Sequence, residues 1–292
     1  MVAIALALGS AVLWGIADFL GGVKSRTFAV PVVLACTYLT SLTVMAVFVG
    51  VRGSGPPATD HVLAGLCAGL FGIAGLLAFY RGLAIGTMSI VAPIAATGVA
   101  LPVLVGLATG DAPSLVCSLG LAAAVLGVVL ASREAPADPA LADNESARGD
   151  ALLRRRSVLL AIAAGAGFGA YFVFAEIAAR GDVGWALLLS RIAAMPFVAA
   201  LAVRALRRGG RRPRGRQLAA LAGIGVVDLG ANALYNVATT RGELSIVAVA
   251  SSLYPVMTVL LASALLGERV RGLQRAGVLV ALCGVLLIAA GA

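Results

Sequence analysis

Long apolar stretches follow one another along almost the whole chain, separated by short breaks of charged or turn-forming residues. An α-helix rises 1.5 Å per residue and the hydrocarbon core of a bilayer is about 30 Å thick, so about 20 apolar residues suffice to cross it. Ten stretches reach this length, roughly over residues 2–23, 30–51, 61–83, 88–109, 113–132, 157–179, 184–206, 217–239, 244–266 and 271–291. The pattern predicts an all-α integral membrane protein with ten transmembrane helices, antiparallel wherever the break is short.

Composition supports this prediction. Of the 292 residues, 61% are hydrophobic and only 12% are charged, whereas soluble domains are about 25% charged. Too few polar side chains are present to cover a soluble protein, which excludes an ordinary soluble enzyme. The first stretch has no basic segment before it, so we expect it to be retained rather than cleaved as a signal peptide. The net charge of +9 comes mainly from arginines in the breaks, where we expect lipid headgroups rather than nucleic acid as partners.

One break is long and polar. Residues 133–156 carry five acidic residues and the run Arg154-Arg155-Arg156, and Pro136 and Pro139 oppose regular structure. We interpret this segment as a solvated linker between a first five-helix repeat, residues 1–132, and a second one, residues 157–292. Because each half has an odd number of spans, homologous halves would lie in the membrane with opposite orientations.

The two halves share short motifs in the same order. The heptapeptide Gly86-Thr87-Met88-Ser89-Ile90-Val91-Ala92 recurs 156 residues later as Gly242-Glu243-Leu244-Ser245-Ile246-Val247-Ala248. At similar offsets, Trp14-Gly15 matches Phe168-Gly169, and Gly110-Asp111 matches Gly267-Glu268. Any one match could arise by chance in so biased a composition, but three in register favour an internal duplication.

These motifs, together with prolines inside the fourth and ninth stretches (Pro93, Pro102 and Pro255) and the sequence Leu266-Gly267-Glu268-Arg269, resemble the EamA-type members of the drug/metabolite transporter superfamily. The resemblance covers essentially the whole chain. It implies a ten-helix inverted-repeat carrier with a central cavity, which moves small organic solutes by alternating access without a cofactor. Family members transport amino acids, nucleosides, sugar derivatives or toxic organic compounds, so the resemblance names no single substrate.

Orientation is left open by the sequence. The breaks after odd-numbered stretches hold seventeen cationic residues and those after even-numbered stretches hold three, so the positive-inside rule predicts both termini outside the cell. The resemblance implies the opposite, because family members are drawn with both termini in the cytoplasm.

Five charged residues lie within the apolar stretches, where a charge costs about 2.5–3.5 kcal/mol on insertion scales and therefore suggests a function. Apart from Arg204, Arg271 and Arg275, which we count with the adjoining breaks, they are Asp18, Arg81, Glu176, Arg191 and Asp228. Arg81 and Glu176 lie near stretch ends, where an interfacial position explains them equally well. For Arg191 we expect a structural ion pair with Asp228 or Glu176, the alternative being a contact with a substrate carboxylate.

Polar and aromatic residues recur at helical spacing in three stretches. Asp228, Asn232, Tyr235, Asn236 and Thr239 share one helix face, which predicts a cavity wall, with an interhelical hydrogen-bond seam as the alternative. Trp14 and Asp18 in the first stretch, and Phe168, Phe172 and Glu176 in the sixth, combine aromatic rings with carboxylates, a wall suited to a cationic or amphipathic solute. The predicted substrate-binding residues are thus Trp14, Asp18, Phe168, Phe172, Arg191, Asp228, Asn232, Tyr235 and Asn236.

Pro93 and Pro255 lie in corresponding stretches of the two halves and are predicted to kink them as gates, although proline is also simply tolerated in membrane helices.

We therefore predict a secondary carrier of the plasma membrane. Efflux is the expected direction of transport, and a homodimer is one candidate oligomeric state. A proton is one candidate coupling ion, through Asp228, Asp18 or Glu176, and an uncoupled facilitator is the other variant. A membrane-embedded scaffold or sensor is the alternative function. We expect no enzyme and no metal, because His61 is the only histidine and the four cysteines are scattered.

Overall fold

A computed structural model describes residues 2–108, 114–132, 145–242, 244–266 and 272–291, and within these ranges the chain contains helices and no strand. The α-helices are α1 (Val2–Ser25), α2 (Val30–Arg52), α3 (Thr59–Ile85), α4 (Met88–Ala96), α5 (Ala100–Ala108), α6 (Leu115–Ser132), α7 (Glu145–Gly181), α8 (Val183–Arg207), α9 (Arg216–Thr239), α10 (Leu244–Ser251), α11 (Tyr254–Leu266) and α12 (Gly272–Gly291). A 3-10 turn, Thr97–Val99, joins α4 to α5. The matched motifs Gly110-Asp111 and Gly267-Glu268 lie outside the described residues.

Six helices are long and apolar enough to cross a bilayer: α1, α2, α3, α8, α9 and the part of α7 from Leu152 to Gly181. They coincide with the first, second, third, sixth, seventh and eighth predicted stretches, which confirms an all-helical, multi-pass membrane protein. The fourth stretch is divided into α4 and α5 and the ninth into α10 and α11, while the fifth and tenth form α6 and α12.

Part of the predicted polar linker is helical. Residues 145–156 form the first three turns of α7, and residues 133–144 lie outside the described residues. Alanine, leucine, arginine and glutamate dominate this part of the sequence, and all four are strong helix formers. The two prolines that oppose regular structure lie before it, so nothing interrupts the helix once it starts.

Glycines allow the helices to approach each other at backbone distance. A Cβ atom at Gly69 of α3 would lie 2.2 Å from the carbonyl oxygen of Ser190 on α8, and one at Gly98 would lie 2.0 Å from the carbonyl oxygen of Gly165 on α7. Such contacts are typical of membrane bundles, in which small residues replace the hydrophobic effect as the basis of tight packing. Direct backbone contacts therefore hold α3 against α8 and the 3-10 turn against α7.

The distribution of apolar side chains matches a membrane solvent. Phe79, Leu83 and Tyr235 are fully buried in the bundle, whereas large apolar residues such as Val47 and Phe197 are more than half exposed on its outside. An outer surface rich in leucine, valine and phenylalanine is expected where lipid chains surround the protein.

Candidate solute-binding cavity

A cavity lies at the middle of the bundle, where seven helices converge. Its lining comes from α1, α2, α3, α7, α8, α9 and α11 and consists of Trp14, Asp18, Tyr38, Ala68, Gly69, Gly72, Leu76, Phe168, Tyr171, Phe172, Arg191, Asp228, Asn232 and Tyr254. The cavity has a volume of about 60 Å³, which is room for a few water molecules. Pockets for organic ligands measure about 300–1,000 Å³, so the walls must move apart before such a solute fits.

An ion pair forms one side of the cavity. The Nη2 atom of Arg191 on α8 donates to Oδ2 of Asp228 on α9 across 3.0 Å, and the two side chains are only 3% and 15% exposed. The Arg191 guanidinium also lies 4.7 Å from the centre of the Tyr38 ring, a cation–π contact. The structure thus pairs Arg191 with Asp228 and not with Glu176.

Glu176 lies away from the cavity. Its carboxylate forms an ion pair with Arg180 one turn later on α7, and it is absent from the residues that line the cavity. The expected wall of Phe168, Phe172 and Glu176 therefore holds for the two rings only. Eight helical positions separate Phe168 from Glu176, which rotates the carboxylate about 80° from the first ring, and the neighbouring arginine holds it there.

Asp18 is a buried carboxylate without a partner among the residues that the structure describes. It is 6% exposed and lines the cavity, yet it forms no hydrogen bond or ion pair with any residue that the structure describes. It interacts electrostatically with Asp228, so the centre of the bundle contains two carboxylates and one guanidinium.

The polar face of α9 divides into two parts. Asp228 and Asn232 line the cavity, and the Tyr171 hydroxyl donates to Oδ1 of Asn232 across 2.6 Å. Tyr235 and Asn236 are buried behind this wall, where the Tyr235 hydroxyl donates to the Phe172 carbonyl and Asn236 donates to the Asn232 carbonyl. Both alternatives proposed for this face are therefore present, a cavity wall at one end and a hydrogen-bond seam at the other.

Aromatic rings complete the lining. The rings of Trp14 and Tyr254 lie 6.5 Å apart, and those of Phe168 and Tyr254 lie 6.4 Å apart. The Tyr254 hydroxyl is buried without a hydrogen-bond partner among the described residues. Sequence reasoning missed Tyr38 and Tyr254, each the one tyrosine of its apolar stretch. Their hydroxyl groups were the available signal, because a buried tyrosine usually directs its hydroxyl to a polar site.

The two predicted gate prolines lie beside breaks in their helices. Pro93 is inside α4, four residues before the 3-10 turn begins at Thr97. Pro255 is the second residue of α11, immediately after the Ser252–Leu253 interruption that separates α11 from α10. Proline is compatible with the first turn of a helix, so Pro255 starts a new helix where a kinked one was expected. A role in gating stays a prediction.

One end of the bundle is fastened by a polar cluster between the α2–α3 and α7–α8 connections. Asp182 accepts a hydrogen bond from the backbone N–H of Trp185 at 2.9 Å and forms an ion pair with Arg52. The Trp185 indole donates to the Ser54 carbonyl across 3.1 Å. Burial raises the pKa of Asp182, but the Trp185 and Arg52 hydrogen bonds outweigh it, and the net pKa lies below its usual value.

No group of three or more metal-ligating side chains is found in the described ranges. Long apolar helices around a charged, aromatic-lined centre define the class of polytopic helical membrane proteins with an internal cavity. Residues 155–290 match the model of the EamA-like transporter family. The second half of the chain is thus an EamA domain, which confirms the resemblance to EamA-type members of the drug/metabolite transporter superfamily.

Solved structures provide a further comparison, and 23 chains among them match. One, described only as "Crystal structure of protein", is 18% identical with a TM-score of 0.62, over 98% of this chain and 96% of that chain. At this identity the match shows the fold alone. No curated protein matches the sequence.

Proposed function

We propose that the protein is a secondary carrier that moves a small organic solute across the plasma membrane, outward, by alternating access to the central cavity. The observation that carries this proposal is the cavity itself, because Asp18, Arg191 and Asp228 meet in the middle of an apolar bundle. Ionisable groups placed at membrane depth are costly and mark the pathways of substrates and ions. The EamA domain over residues 155–290 supports the same class.

The packing pattern supports ten spans arranged as two inverted repeats. With α4 and α5 counted as one span, and α10 and α11 as another, helix contacts occur in reciprocal pairs. The contact of α3 with α7 is matched by that of α9 with α1, and the contact of α3 with α8 by that of α9 with α2. Two further pairs, α2 with α8 and α6 with α12, join counterparts. A two-fold axis in the membrane plane would produce this reciprocity.

The interrupted helices support alternating access. The 3-10 turn at Thr97–Val99 and the interruption at Ser252–Leu253 are close to the same 156-residue offset as the repeated heptapeptide. Discontinuous helices in corresponding places are typical of secondary carriers, because a broken helix moves without unfolding the rest of its span. We propose that α4–α5 and α10–α11, with Pro93 and Pro255, form the two gates.

Coupling to protons fits the carboxylate of Asp18, which has no partner in the described part of the chain. Burial disfavours the charged form of a carboxylate, so a proton and a solute can exchange there during transport. Asp228 is already held by Arg191 and Glu176 by Arg180, which leaves Asp18 as the most available proton site among the three that we considered.

The decisive test is transport by purified protein in liposomes loaded with a small-molecule extract of cells. Mass spectrometry would identify the solutes that cross, with and without a pH gradient. The variant Gly72→Leu should stop transport, because its side chain would fill the cavity beside the Tyr171 ring, 3.1 Å from the new Cβ. Gly50→Leu is the matched control, since a Cβ at Gly50 meets nothing within 4 Å. Equal leakage from empty and protein-containing liposomes would instead favour a scaffold or sensor.

A further inference from the structure

The cavity has an uneven distribution of charge. Arg191 and Asp228 neutralise each other through a direct hydrogen bond. Asp18 has no such counter-charge among the described residues and is only 6% exposed. One negative charge is therefore uncompensated when all three groups are ionised.

The surroundings of Asp18 are aromatic. Trp14 lies one helical turn before it on α1 and also lines the cavity. Tyr80 and Tyr254 both interact electrostatically with the Asp18 carboxylate, and the Trp14 ring contacts the Tyr254 ring at 6.5 Å. Aromatic faces attract cations, most strongly where water is excluded.

This combination favours one class of positive charge over another. Inorganic cations such as Ca²⁺ take six to eight oxygen ligands, whereas one carboxylate surrounded by rings supplies few. An organic ammonium group is satisfied by a single carboxylate and by ring faces, and its apolar body suits the remaining lining of Phe168 and Phe172. The unpartnered Tyr254 hydroxyl is available to a polar group on the same solute.

The geometry points to Asp18 as the anchor for the ammonium group of an organic monocation, with Arg191 and Asp228 acting as a structural pair rather than as solute ligands. This inference rests on the proposed function only in taking the cavity as the solute site. It names the substrate class that the proposed carrier would accept, a compact amine with an apolar or aromatic body.

The fluorescence of a tryptophan in the cavity wall can report solute binding. The chain has two tryptophans, Trp14 in the cavity wall and Trp185 at one end of the bundle, so Trp185→Phe leaves Trp14 as the only indole reporter. Three probes share one skeleton and differ in charge: phenethylammonium, neutral 2-phenylethanol and anionic phenylacetate. Each would be titrated against this purified variant while Trp14 fluorescence is followed.

We expect phenethylammonium to bind at least about tenfold more tightly than the neutral and anionic probes, since a charged contact in a desolvated site reaches that magnitude. Asp18→Asn should abolish this preference, Asp18→Glu should retain it, and Asp60→Asn, at an exposed carboxylate outside the cavity, should leave it unchanged. NaCl in large molar excess over the probe should not displace it.

Three results would overturn the inference: equal affinity for the three probes, cation preference that persists in Asp18→Asn, or displacement by sodium alone. The comparison of probes on protein with an intact Asp18 decides the question even if Asp18→Asn does not fold. Failure of the proposed function looks different, because cation binding at Asp18 without solute movement in liposomes would reject the carrier and leave the binding site standing.

Discussion

Arg191 on α8 and Asp228 on α9 form a hydrogen-bonded ion pair of 3.0 Å between two neighbouring membrane helices. The Arg191 Nε atom is also buried and has no partner among the described residues. The guanidinium thus donates one hydrogen bond to Asp228 and another, at 3.3 Å, to the Ser190 hydroxyl, and it packs against the Tyr38 ring. A cation held in this way joins three helices, α2, α8 and α9.

Removing one member of this pair should destabilise the protein more than removing both. Arg191→Met leaves Asp228 buried without a counter-charge, and such a change lowers the free energy of unfolding by about 3–5 kcal/mol. The double variant Arg191→Met/Asp228→Leu should recover most of that loss. Unfolding of the purified protein in detergent, followed by fluorescence in a double-mutant cycle, measures the coupling. Simply additive losses would mean that the pair contributes nothing specific.

The backbone contact at Gly69 should tolerate no side chain. A Cβ there would lie 2.2 Å from the Ser190 carbonyl oxygen, so Gly69→Ala must push α3 from α8, and overpacking of this kind costs about 1–3 kcal/mol. Gly50→Ala, where a Cβ meets nothing within 4 Å, should be neutral or slightly stabilising. Thermal unfolding of both variants in the same detergent compares them, and equal midpoints would contradict the close approach of α3 and α8.

Acidification should weaken the cluster around Asp182. Because the folded-state pKa of Asp182 lies below its ordinary value, its charge stabilises the folded protein above the unfolded pKa of about 3.9. That contribution is lost as the pH falls through the lowered folded pKa. Asp182→Asn retains the helix cap but not the charge, so it should be less stable than the unmodified protein at pH 7, and the difference should be smaller at pH 3.

The size of this effect should be modest, below about 1 kcal/mol, because the Arg52 side chain is 45% exposed and screened by solvent. Unfolding midpoints at the two pH values measure it. Arg52→Gln serves as the partner control. Its loss of stability relative to the unmodified protein should likewise be smaller at pH 3 than at pH 7. A larger difference at pH 3 than at pH 7 would reverse the sign derived from the lowered pKa.

The proposed gates predict a separation of binding from transport. Pro93→Ala restores a backbone donor inside α4 and stiffens the segment before the 3-10 turn. Solute exchange in liposomes should slow by about tenfold or more, whereas the affinity for a cavity-binding probe should change little, since Pro93 does not line the cavity. An unchanged exchange rate would remove Pro93 from the gate.

Much of this architecture was predictable because membrane helices are specified by length and composition alone. Asp18, Arg191 and Asp228 were identified for a related reason: charges are so rare in the apolar stretches that each one stands out. Tyr38 and Tyr254 do not stand out in the same way from the apolar residues around them, since an aromatic residue is as compatible with lipid as with a cavity. The direction in which a helix face points depends on its neighbours, which periodicity does not encode.

Glu176 shows a second limit. Its helical spacing from Phe172 placed it on the predicted wall, but Arg180 lies one turn away and forms the nearer partner. The spacing of one helix cannot decide between a local ion pair and a cavity position. Similarly, the prolines before residue 145 suggested an irregular linker, while the helix formers that follow them extended α7.

The contact between Gly69 and the Ser190 carbonyl restricts how the cavity can widen. Two helices that touch through their backbones have no side-chain layer that could yield, so α3 and α8 are expected to travel as one rigid body. Enlarging a space of about 60 Å³ therefore cannot begin at that seam. Any widening has to come from the other helices that line the cavity, which must move relative to the paired α3 and α8.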